Sequence, residues 1–326
     1  MPRTLFLVAI GCLAAASTAP AQQPAATAPP AAQPNQPTQP AVHPQVPTVA
    51  QHDPFNLSPK EQAYINQVLD TWEKKSDEIN NIYVEFSRER HTIIGPAGIN
   101  GPPAVKEKGK LAYHQPDRGS FQITEAHEWK AAAQPLPQPN QLPQQPQQAP
   151  AAQGKYELSE EPGEHWVCSG DKIFQFRHLK KQLVVTPIPK EMQGKEIVNG
   201  PLPFLFGAEA DKLKKRFFMK LDKDTTRGTL IGIHAKPKFM ADASEYSDIY
   251  VVLQNAAGKP FMPIGIRVVH PNRSWDEYVF NLEDAQVNPT IAGWFSAMFQ
   301  EPRAPFGWKK VIEPLRQAQQ PQTAPK

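Results

Sequence analysis

The apolar positions of this chain follow a helical spacing up to about residue 80 and a spacing of two residues after it. The apolar residues that share one predicted helix face are Ile65, Val68, Leu69, Trp72 and Ile79. Ser58 and Glu61 stand three residues apart around Pro59, which is the sequence of a capping box with proline at the first helical position. The sequence therefore predicts one long helix that begins after Ser58 and ends near Asn80.

Beyond this helix, short segments of alternating or continuous apolar residues are separated by turn sequences. The predicted strands are 82–87, 109–114, 120–124, 166–169, 172–176, 182–188, 228–235, 249–254, 264–270 and 275–281. Tight turns such as 116–119 and 271–274 join antiparallel neighbours, because parallel strands need long crossovers. A sheet this wide curls, and the apolar face of the helix needs a cover. We therefore predict an α+β fold in which a large curved antiparallel sheet of about ten strands forms an unclosed half-barrel, with helices covering its concave face.

Segments rich in proline, alanine and glutamine divide the chain into regions. Residues 22–54 carry almost no charge and cannot bury enough apolar surface to order, so they are predicted to be a disordered linker. Residues 131–153 are predicted to be a disordered insertion, and residues 314–326 a disordered tail, for the same reason. Residues 55–313 then form one half-barrel domain, since a division at the insertion leaves the first piece too small for a core.

The first 21 residues have the pattern of a secretory signal peptide. Arg3 precedes an apolar run that is shorter than the roughly 20 residues a membrane-spanning helix needs. We therefore expect an exported protein, periplasmic or secreted. Anchoring as a lipoprotein through Cys12 is disfavoured, because Cys12 lies early and Ala9 stands where such a signal prefers leucine. Cys168 is expected to be a buried strand residue.

The sequence contains no recognisable catalytic or cofactor motif. A net charge of +3 gives no reason to expect nucleic acid, and the nine histidines lack the spacing of a metal site. A nucleophile elbow, a phosphate-binding loop and a dinucleotide fingerprint are all missing. We expect no cofactor, no metal and no enzyme activity. The catalytic alternative is a hydrolase that uses His165 with Glu160 or Glu161.

The segment 199–217 combines an apolar run with a basic one. Prolines on both sides of Leu202 exclude a regular central strand there, so the apolar run either covers the concave face or is exposed. The residues predicted to form a lid or a core plug are Leu202, Phe204, Leu205 and Phe206. The basic residues that follow, as contacts for anionic headgroups or a membrane surface, are Lys212, Lys214, Lys215 and Arg216. A charge run of this kind is also typical of a solvated face.

The order of these segments resembles the LolA/LolB-like superfamily of bacterial lipoprotein carriers. The similarity rests on a leading helix followed by the segments 82–88, 108–113, 115–118, 121–123, 166–174 and 199–202. It implies an unclosed antiparallel half-barrel with helices as a lid over an apolar cavity. The carriers have arginine before the proline that follows their second strand, whereas Gln115 stands at that position here. The chain is more similar to uncharacterised secreted relatives than to the carrier itself.

The leading functional hypothesis is a binding protein for an apolar ligand, namely a lipid or the acyl chain of a lipoprotein. The residues predicted to line its cavity are Leu69, Trp72, Phe86, Leu111, Phe121, Ile123, Phe174 and Phe176. Such binding needs no covalent chemistry, because each buried methylene contributes about 0.8 kcal/mol. The competing hypothesis is an envelope sensor or scaffold, in which the half-barrel is filled by its own side chains and a partner protein contacts its rim or the proline-rich arms.

Overall fold

The computed structural model of the chain describes residues 53–93, 101–132, 154–190, 193, 209–259, 261–290 and 293–314. The predicted signal peptide, most of the predicted linker and tail, and the predicted lid residues lie outside these ranges. Residues 133–153 of the predicted insertion also lie outside them. The domain boundaries and the role of the lid therefore remain predictions.

Helix α1 (Pro59–Asp77) begins at the predicted capping box. The Glu61 backbone N–H donates to Ser58 Oγ at 3.3 Å, and the Ser58 backbone N–H donates to the Glu61 carboxylate at 3.1 Å. Pro59 occupies the first turn, where its missing N–H has no intrahelical partner to lose. The buried residues of the helix are Ile65, Val68, Leu69, Trp72 and Ser76. The predicted apolar face is thus the face that α1 buries.

Fourteen strands of the described chain form one sheet. They are β1 (Asn81–His91), β2 (Val105–His114), β3 (Arg118–Ala131), β4 (Gly154–Leu158), β5 (His165–Cys168), β6 (Lys172–Arg177), β7 (Gln182–Pro187), β8 (Phe217–Arg227), β9 (Leu230–Pro237), β10 (Asp248–Gln254), β11 (Pro263–Val269), β12 (Trp275–Phe280), β13 (Gln286–Val287) and β14 (Lys309–Ile312). Their order is β14-β7-β6-β5-β3-β2-β1-β12-β11-β10-β9-β8, with β13 beside β1 and β4 beside β3. The short helices are α2 (Ala210–Arg216), α3 (Met240–Ala243), α4 (Gly293–Ala297) and a 3-10 helix (His178–Lys180).

The predicted unclosed α+β sheet is confirmed, with two differences. The pairing of β14 with β7 is parallel, whereas the other strand pairs are antiparallel. Strands β4, β8, β13 and β14 were not predicted. β8 is an edge strand that directly follows the basic run of α2, and from Met219 to Asp222 its apolar residues alternate with charged ones. Edge strands tolerate such charges because one side of the ladder faces solvent.

The sheet curves around α1. One buried apolar cluster joins the helix to eight neighbouring strands, from β3 across to β8. Adjacent strands lie about 4.8 Å apart, so a flat array of that width would span roughly 35 Å, about three helix diameters. A single helix cannot cover a flat array this wide. The sheet therefore wraps α1 on its concave face, where α2 adds Leu213 to the same cluster.

The last described segment of the chain covers the opposite, convex face. Phe295 of α4 and the following Phe299 pack on Ala112 of β2. Ala304 then packs on the cluster that contains Phe174 of β6, and the chain continues into β14 beside β7. Strand β2 is therefore covered on both faces, and the convex covering continues across β6 to β7. None of the helices in the described ranges is long and apolar enough to cross a lipid bilayer.

His165 lies within this convex covering. Its ring stacks on Phe176 with the ring centroids 4.1 Å apart, and the ring of Trp308 meets Phe176 edge-on at 6.2 Å. Burial, together with the nearby His178, lowers the pKa of His165 to about 4. The folded protein therefore holds this imidazole neutral at pH values where the unfolded chain protonates it.

We expect acid to weaken the fold partly through this residue. Between about pH 6.5 and about pH 4 the unfolded chain binds a proton that folded His165 does not, so stability falls as the pH falls. His165→Phe should remove this part of the fall, leaving Tm at pH 4.5 about 5–10 °C less depressed relative to its value at pH 7. Thermal unfolding across this pH range measures the effect. An equally steep fall in His165→Phe would contradict the assignment.

Candidate ligand-binding site

The concave face brings together six of the eight residues predicted to line an apolar cavity. These are Leu69, Trp72, Phe86, Leu111, Phe121 and Ile123, and each is at most 6% exposed. Phe121 lies between two other rings, with centroids 5.1 Å from Phe86 and 5.6 Å from Trp166. Trp166, which the sequence analysis did not assign to the cavity, thus extends the aromatic row across β1, β3 and β5.

Phe174 and Phe176 lie on the other face of the sheet, and their assignment to the cavity is wrong. Phe121 is in register with Trp166, whereas Phe174 is in register with Val167, the next residue along β5. Directly opposed residues share a face and successive residues alternate, so Phe174 and Phe176 point to the convex side. Both faces of β5 and β6 carry apolar residues, and this two-sided pattern hides which face is concave.

A buried ionic layer ends the apolar surface along β1. Arg88, two residues beyond Phe86 on the same face, has a side chain only 3% exposed. Its Nε donates to Glu107 at 2.5 Å, and one guanidinium nitrogen contacts Glu164 at 3.3 Å and the Tyr278 hydroxyl at 3.1 Å. Burial alone would lower the pKa of Arg88, but the surrounding Tyr278, Glu107 and Glu164 raise it well above its ordinary value. Arg88 is therefore a fixed positive charge.

A second polar layer follows Arg88. Arg90 Nε lies 3.5 Å from Asp276 Oδ1, and His270 Nε2 lies 3.2 Å from Asp276 Oδ2. The hydrogen bond that His270 donates to the Asp276 carboxylate raises the pKa of His270 against the effect of burial. Burial alone would raise the pKa of Asp276, but His270 and Arg90 lower it. The concave face thus has an apolar part around α1 and a paired ionic part beyond it.

A small cleft opens onto the apolar part between α1 and the edge strand β8. Its volume is about 70 Å³, and its lining residues are Asp53, Gln62, Ile65, Asn66, Leu69, Lys214, Phe217, Phe218, Met219 and Lys238. Ile65, Leu69 and Phe217 belong to the buried cluster that fills the concave face. The cleft is therefore a point where the described part of the core meets the surface. The alternation of Phe217, Met219 and Leu221 is the sequence signal that identifies β8 and this side of the cleft.

Two ammonium groups stand at the cleft. Lys214 Nζ contacts Asp70 Oδ1 of α1 at 3.0 Å. Lys238 Nζ donates to the Lys214 carbonyl at 2.6 Å and lies 4.8 Å from the centroid of the Phe218 ring. Burial lowers the pKa of Lys238, and the carboxylate of Asp53 opposes this effect.

The predicted basic group on α2 is largely paired with carboxylates. Lys212 Nζ lies 2.7 Å from Glu209, and the Arg216 guanidinium lies 2.6 Å from Asp242. With Lys214 paired to Asp70, three of the four predicted cations have acidic partners. Lys215 is exposed. The group therefore does not present an unpaired basic surface, and Lys214 is its one member that lines the cleft.

The hydrolase alternative finds no support in the placement of its residues. His165 is held neutral against Phe176 on the convex side. Glu160 and Glu161 are exposed, and the neighbouring Glu164 binds Arg88. Within the described ranges, three or more His, Cys, Asp or Glu side chains do not come together in a group able to hold a metal ion.

The fold and the site define an α+β protein with a helix buried in the concave face of an unclosed sheet. No protein-family model matches the chain, and no curated protein matches its sequence. An uncharacterized conserved protein from Thermus thermophilus is similar in structure, with 9% identity, coverage of 77% of this chain and 99% of that chain, and a TM-score of 0.38.

Two further solved structures bear on the predicted resemblance. A LolA superfamily protein from Nitrosomonas europaea has 8% identity, covers 72% of this chain and 97% of that chain, and gives a TM-score of 0.30. A putative outer membrane lipoprotein-sorting protein domain from Vibrio parahaemolyticus has 6% identity, covers 72% and 98%, and gives a TM-score of 0.29. The chain is thus similar to solved LolA superfamily structures, at TM-scores too low for the likeness to support an argument about its site.

We expect the buried Arg88–Glu107 pair to be far more costly to break than an exposed pair of the same kind. Arg88→Gln leaves the buried Glu107 carboxylate with only the more distant Arg90, 3.9 Å away, as a cationic partner, so the free energy of unfolding should fall by about 3–5 kcal/mol. Arg267→Gln, which breaks a cross-strand pair with Glu277 at 2.9 Å whose side chains are 49% and 36% exposed, should cost less than about 1 kcal/mol. Urea denaturation measures both. The double variant Arg88→Leu/Glu107→Leu should lose less than Arg88→Gln, and a larger loss would show that the pair itself is strongly stabilising.

Proposed function

We propose that this protein binds the apolar chain of a lipid or of an acylated lipoprotein between α1 and the concave face of its sheet. The observation that carries the proposal is the cleft beside β8, where Ile65, Leu69 and Phe217 of the buried core line an opening to the surface. Binding of this kind needs apolar area and an entrance, and no covalent step. An exported, periplasmic or secreted location is part of the proposal.

The proposed ligand requires α1 to move. The cleft holds about 70 Å³, whereas sites for drug-sized ligands hold roughly 300–1,000 Å³. The remaining volume of the concave face is taken up by the side chains of α1. A ligand therefore enters as the helix withdraws and takes over the apolar contacts that Ile65, Leu69 and Trp72 make in the closed form.

The contacts that hold α1 at its exposed side are suited to such a movement. Asp70 pairs with Lys214 at 3.0 Å, and Glu61 pairs with Lys223 at 3.1 Å, with Asp70 and Lys223 more than half exposed. Exposed pairs of this kind contribute about 0–1 kcal/mol each. At the end of the helix, the Asn288 side chain donates to the Glu78 carbonyl at 2.7 Å. The apolar packing of Ile65, Val68 and Leu69 is non-directional and can be replaced by the methylenes of a ligand.

The chemistry of the entrance favours a ligand with an acidic head. Lys214 and Lys238 flank the cleft beside Asp53, and Lys214 is paired with the exposed Asp70. An apolar chain that ends in a carboxylate or phosphate would replace Asp70 and place its charge between the two lysines. Lys212, Lys215 and Arg216 take no part in this contact. Leu202, Phe204, Leu205 and Phe206 precede α2 closely in sequence, and we retain them as the proposed lid.

Narrowing the entrance should block binding without disturbing the core. Asn66 lines the cleft from α1 and is half-buried, so Asn66→Trp fills the opening. We expect this variant to bind a fluorescent long-chain fatty acid at least about tenfold more weakly than the wild type, which corresponds to about 1.4 kcal/mol. Ala63→Trp, on an exposed position of the same helix, is the matched control and should bind normally. Equal binding by both variants would place the entrance elsewhere.

The competing proposal is an interaction module whose half-barrel is filled by its own side chains. The observation that favours it is the near-complete burial of the six concave residues, each at most 6% exposed. In that case the concave face is core, and partners contact the rim.

Native mass spectrometry of the mature protein from its own envelope separates the two proposals. Co-purified acyl species that are lost in a folded Phe204→Asp/Phe206→Asp variant would support a lipid-binding protein with a lid. A ligand-free wild type that also fails to bind an added fatty acid would support the interaction module.

A further inference from the structure

Two turns lie side by side where β14 meets β7. The turn 305–308 is closed by the Trp308 backbone N–H, which donates to the Pro305 carbonyl at 3.0 Å. The other is the 3-10 helix that precedes β7. The Lys309 N–H donates to the Lys181 carbonyl at 2.9 Å, and the Trp308 ring meets His178 edge-on at 5.1 Å. These contacts fix the two turns against each other.

The two turns present apolar side chains to solvent. Phe306 is fully exposed, with 106% relative accessibility, and Leu179 is 58% exposed. Phe306 stands at the apex of a turn whose following residue, Gly307, has φ +77°, a conformation that favours glycine. Trp308 is half-buried at the base of the turn. Phe306 and Leu179 therefore project into solvent from two turns that are fixed against each other. The fold gains nothing from exposing these two apolar side chains.

Four exposed lysines surround these apices: Lys180, Lys181, Lys309 and Lys310. None of the ion pairs found among the described residues involves any of the four. The acidic residue just beyond β14, Glu313, is bound by the Arg177 guanidinium through two bonds of 2.8 and 2.9 Å. We call Leu179, Phe306 and these lysines the basic tip. Its charge is positive and unbalanced, in contrast to the paired cations of α2.

We propose that the basic tip docks the protein onto an anionic lipid surface. Phe306 and Leu179 would enter the headgroup region while the lysines contact acidic headgroups, which is the combination that anchors peripheral proteins at membranes. Two apolar side chains on turn apices make too little apolar area for a stable protein interface, which buries about 800 Å² on each partner. A lipid surface demands no shape complementarity, so it fits projecting apices better than a folded partner does.

This inference is independent of the proposed ligand site. The cleft lies beside β8 and the basic tip beside β14, at opposite ends of the strand order. Docking can therefore be measured with variants of the basic tip that leave the cleft intact, and its failure would leave the test at Asn66 unaffected.

Co-sedimentation with vesicles tests the proposal. Full-length mature protein is mixed with phosphatidylcholine vesicles that either lack or contain about one third phosphatidylglycerol. We expect binding to the anionic vesicles, and we expect it to fall as salt rises from about 0.05 to about 0.5 M. Phe306→Ser should weaken binding at least about fivefold. Met240→Ser, at another exposed apolar residue with 56% exposure, should leave it unchanged.

A charge-matched pair of variants locates the surface. Lys180→Gln/Lys309→Gln/Lys310→Gln should reduce binding at least about tenfold. Lys60→Gln/Lys212→Gln/Lys215→Gln removes the same number of exposed lysines from α1 and α2 and should have little effect. Loss of binding in the second triple variant alone would move the membrane contact to α2 and overturn the proposal.

Two other outcomes would also overturn it. Wild-type protein that sediments with neither vesicle would assign the basic tip to a protein partner. A concentration-dependent dimer that Phe306→Ser converts to a monomer, without vesicle binding, would assign the tip to a second copy of this chain.

Discussion

Helix α1 has one apolar stripe, and eight neighbouring strands of the sheet share one apolar face. Each of these two surfaces is buried from water by packing against the other. Because a helix is only about 10–12 Å across, the sheet reaches it from both sides by curving. The curved sheet does not close, so β8 and β14 remain as edges in the described structure. The cleft lies where α1 meets β8. The other edge, β14, is the last strand of the segment that covers the convex face. The burial of one helix thus determines both the curvature of the sheet and the place where the core can be reached.

The same burial would make the proposed ligand binding an exchange. Each large apolar side chain that α1 buries contributes roughly 1.5–3 kcal/mol, so the four side chains of Ile65, Val68, Leu69 and Trp72 together contribute roughly 6–12 kcal/mol. An acyl chain contributes about 0.8 kcal/mol for each methylene, so about 8 to 15 methylenes match that amount. Displacement of α1 by a chain of this length is therefore close to balanced, and the weak exposed pairs at Asp70 and Glu61 add little to the cost. Short apolar molecules would leave the helix in place.

The elements predicted correctly are those that local pattern determines. The capping box located the start of α1, and alternation located most strands. β14 was not predicted because its four residues, Lys309–Ile312, show no alternation of apolar and polar side chains, and its partner β7 lies more than a hundred residues earlier. The misplacement of Phe174 arose because alternation separates the two faces of a strand without saying which is concave. Arg88 continues the inward row of Val84 and Phe86, but its burial depends on Glu107 of another strand. The cleft forms where α1, α2 and β8 meet, and no local sequence pattern predicts that these three elements come together.

The ionic layer also limits how a ligand can lie. Along β1 the apolar row runs from Ile82 to Phe86, which at about 3.4 Å per residue spans roughly 14 Å, and Arg88 ends it with a buried charge that is already paired. An acyl chain that pressed farther along the strand would have to separate Arg88 from Glu107, at a cost of about 3–5 kcal/mol. Across the strands, by contrast, apolar residues continue from Phe121 to Phe217 without a charged layer inside the cluster. If the protein binds a long acyl chain as proposed, the chain would therefore lie across the strands in the position that α1 occupies, with its head at the cleft beside β8.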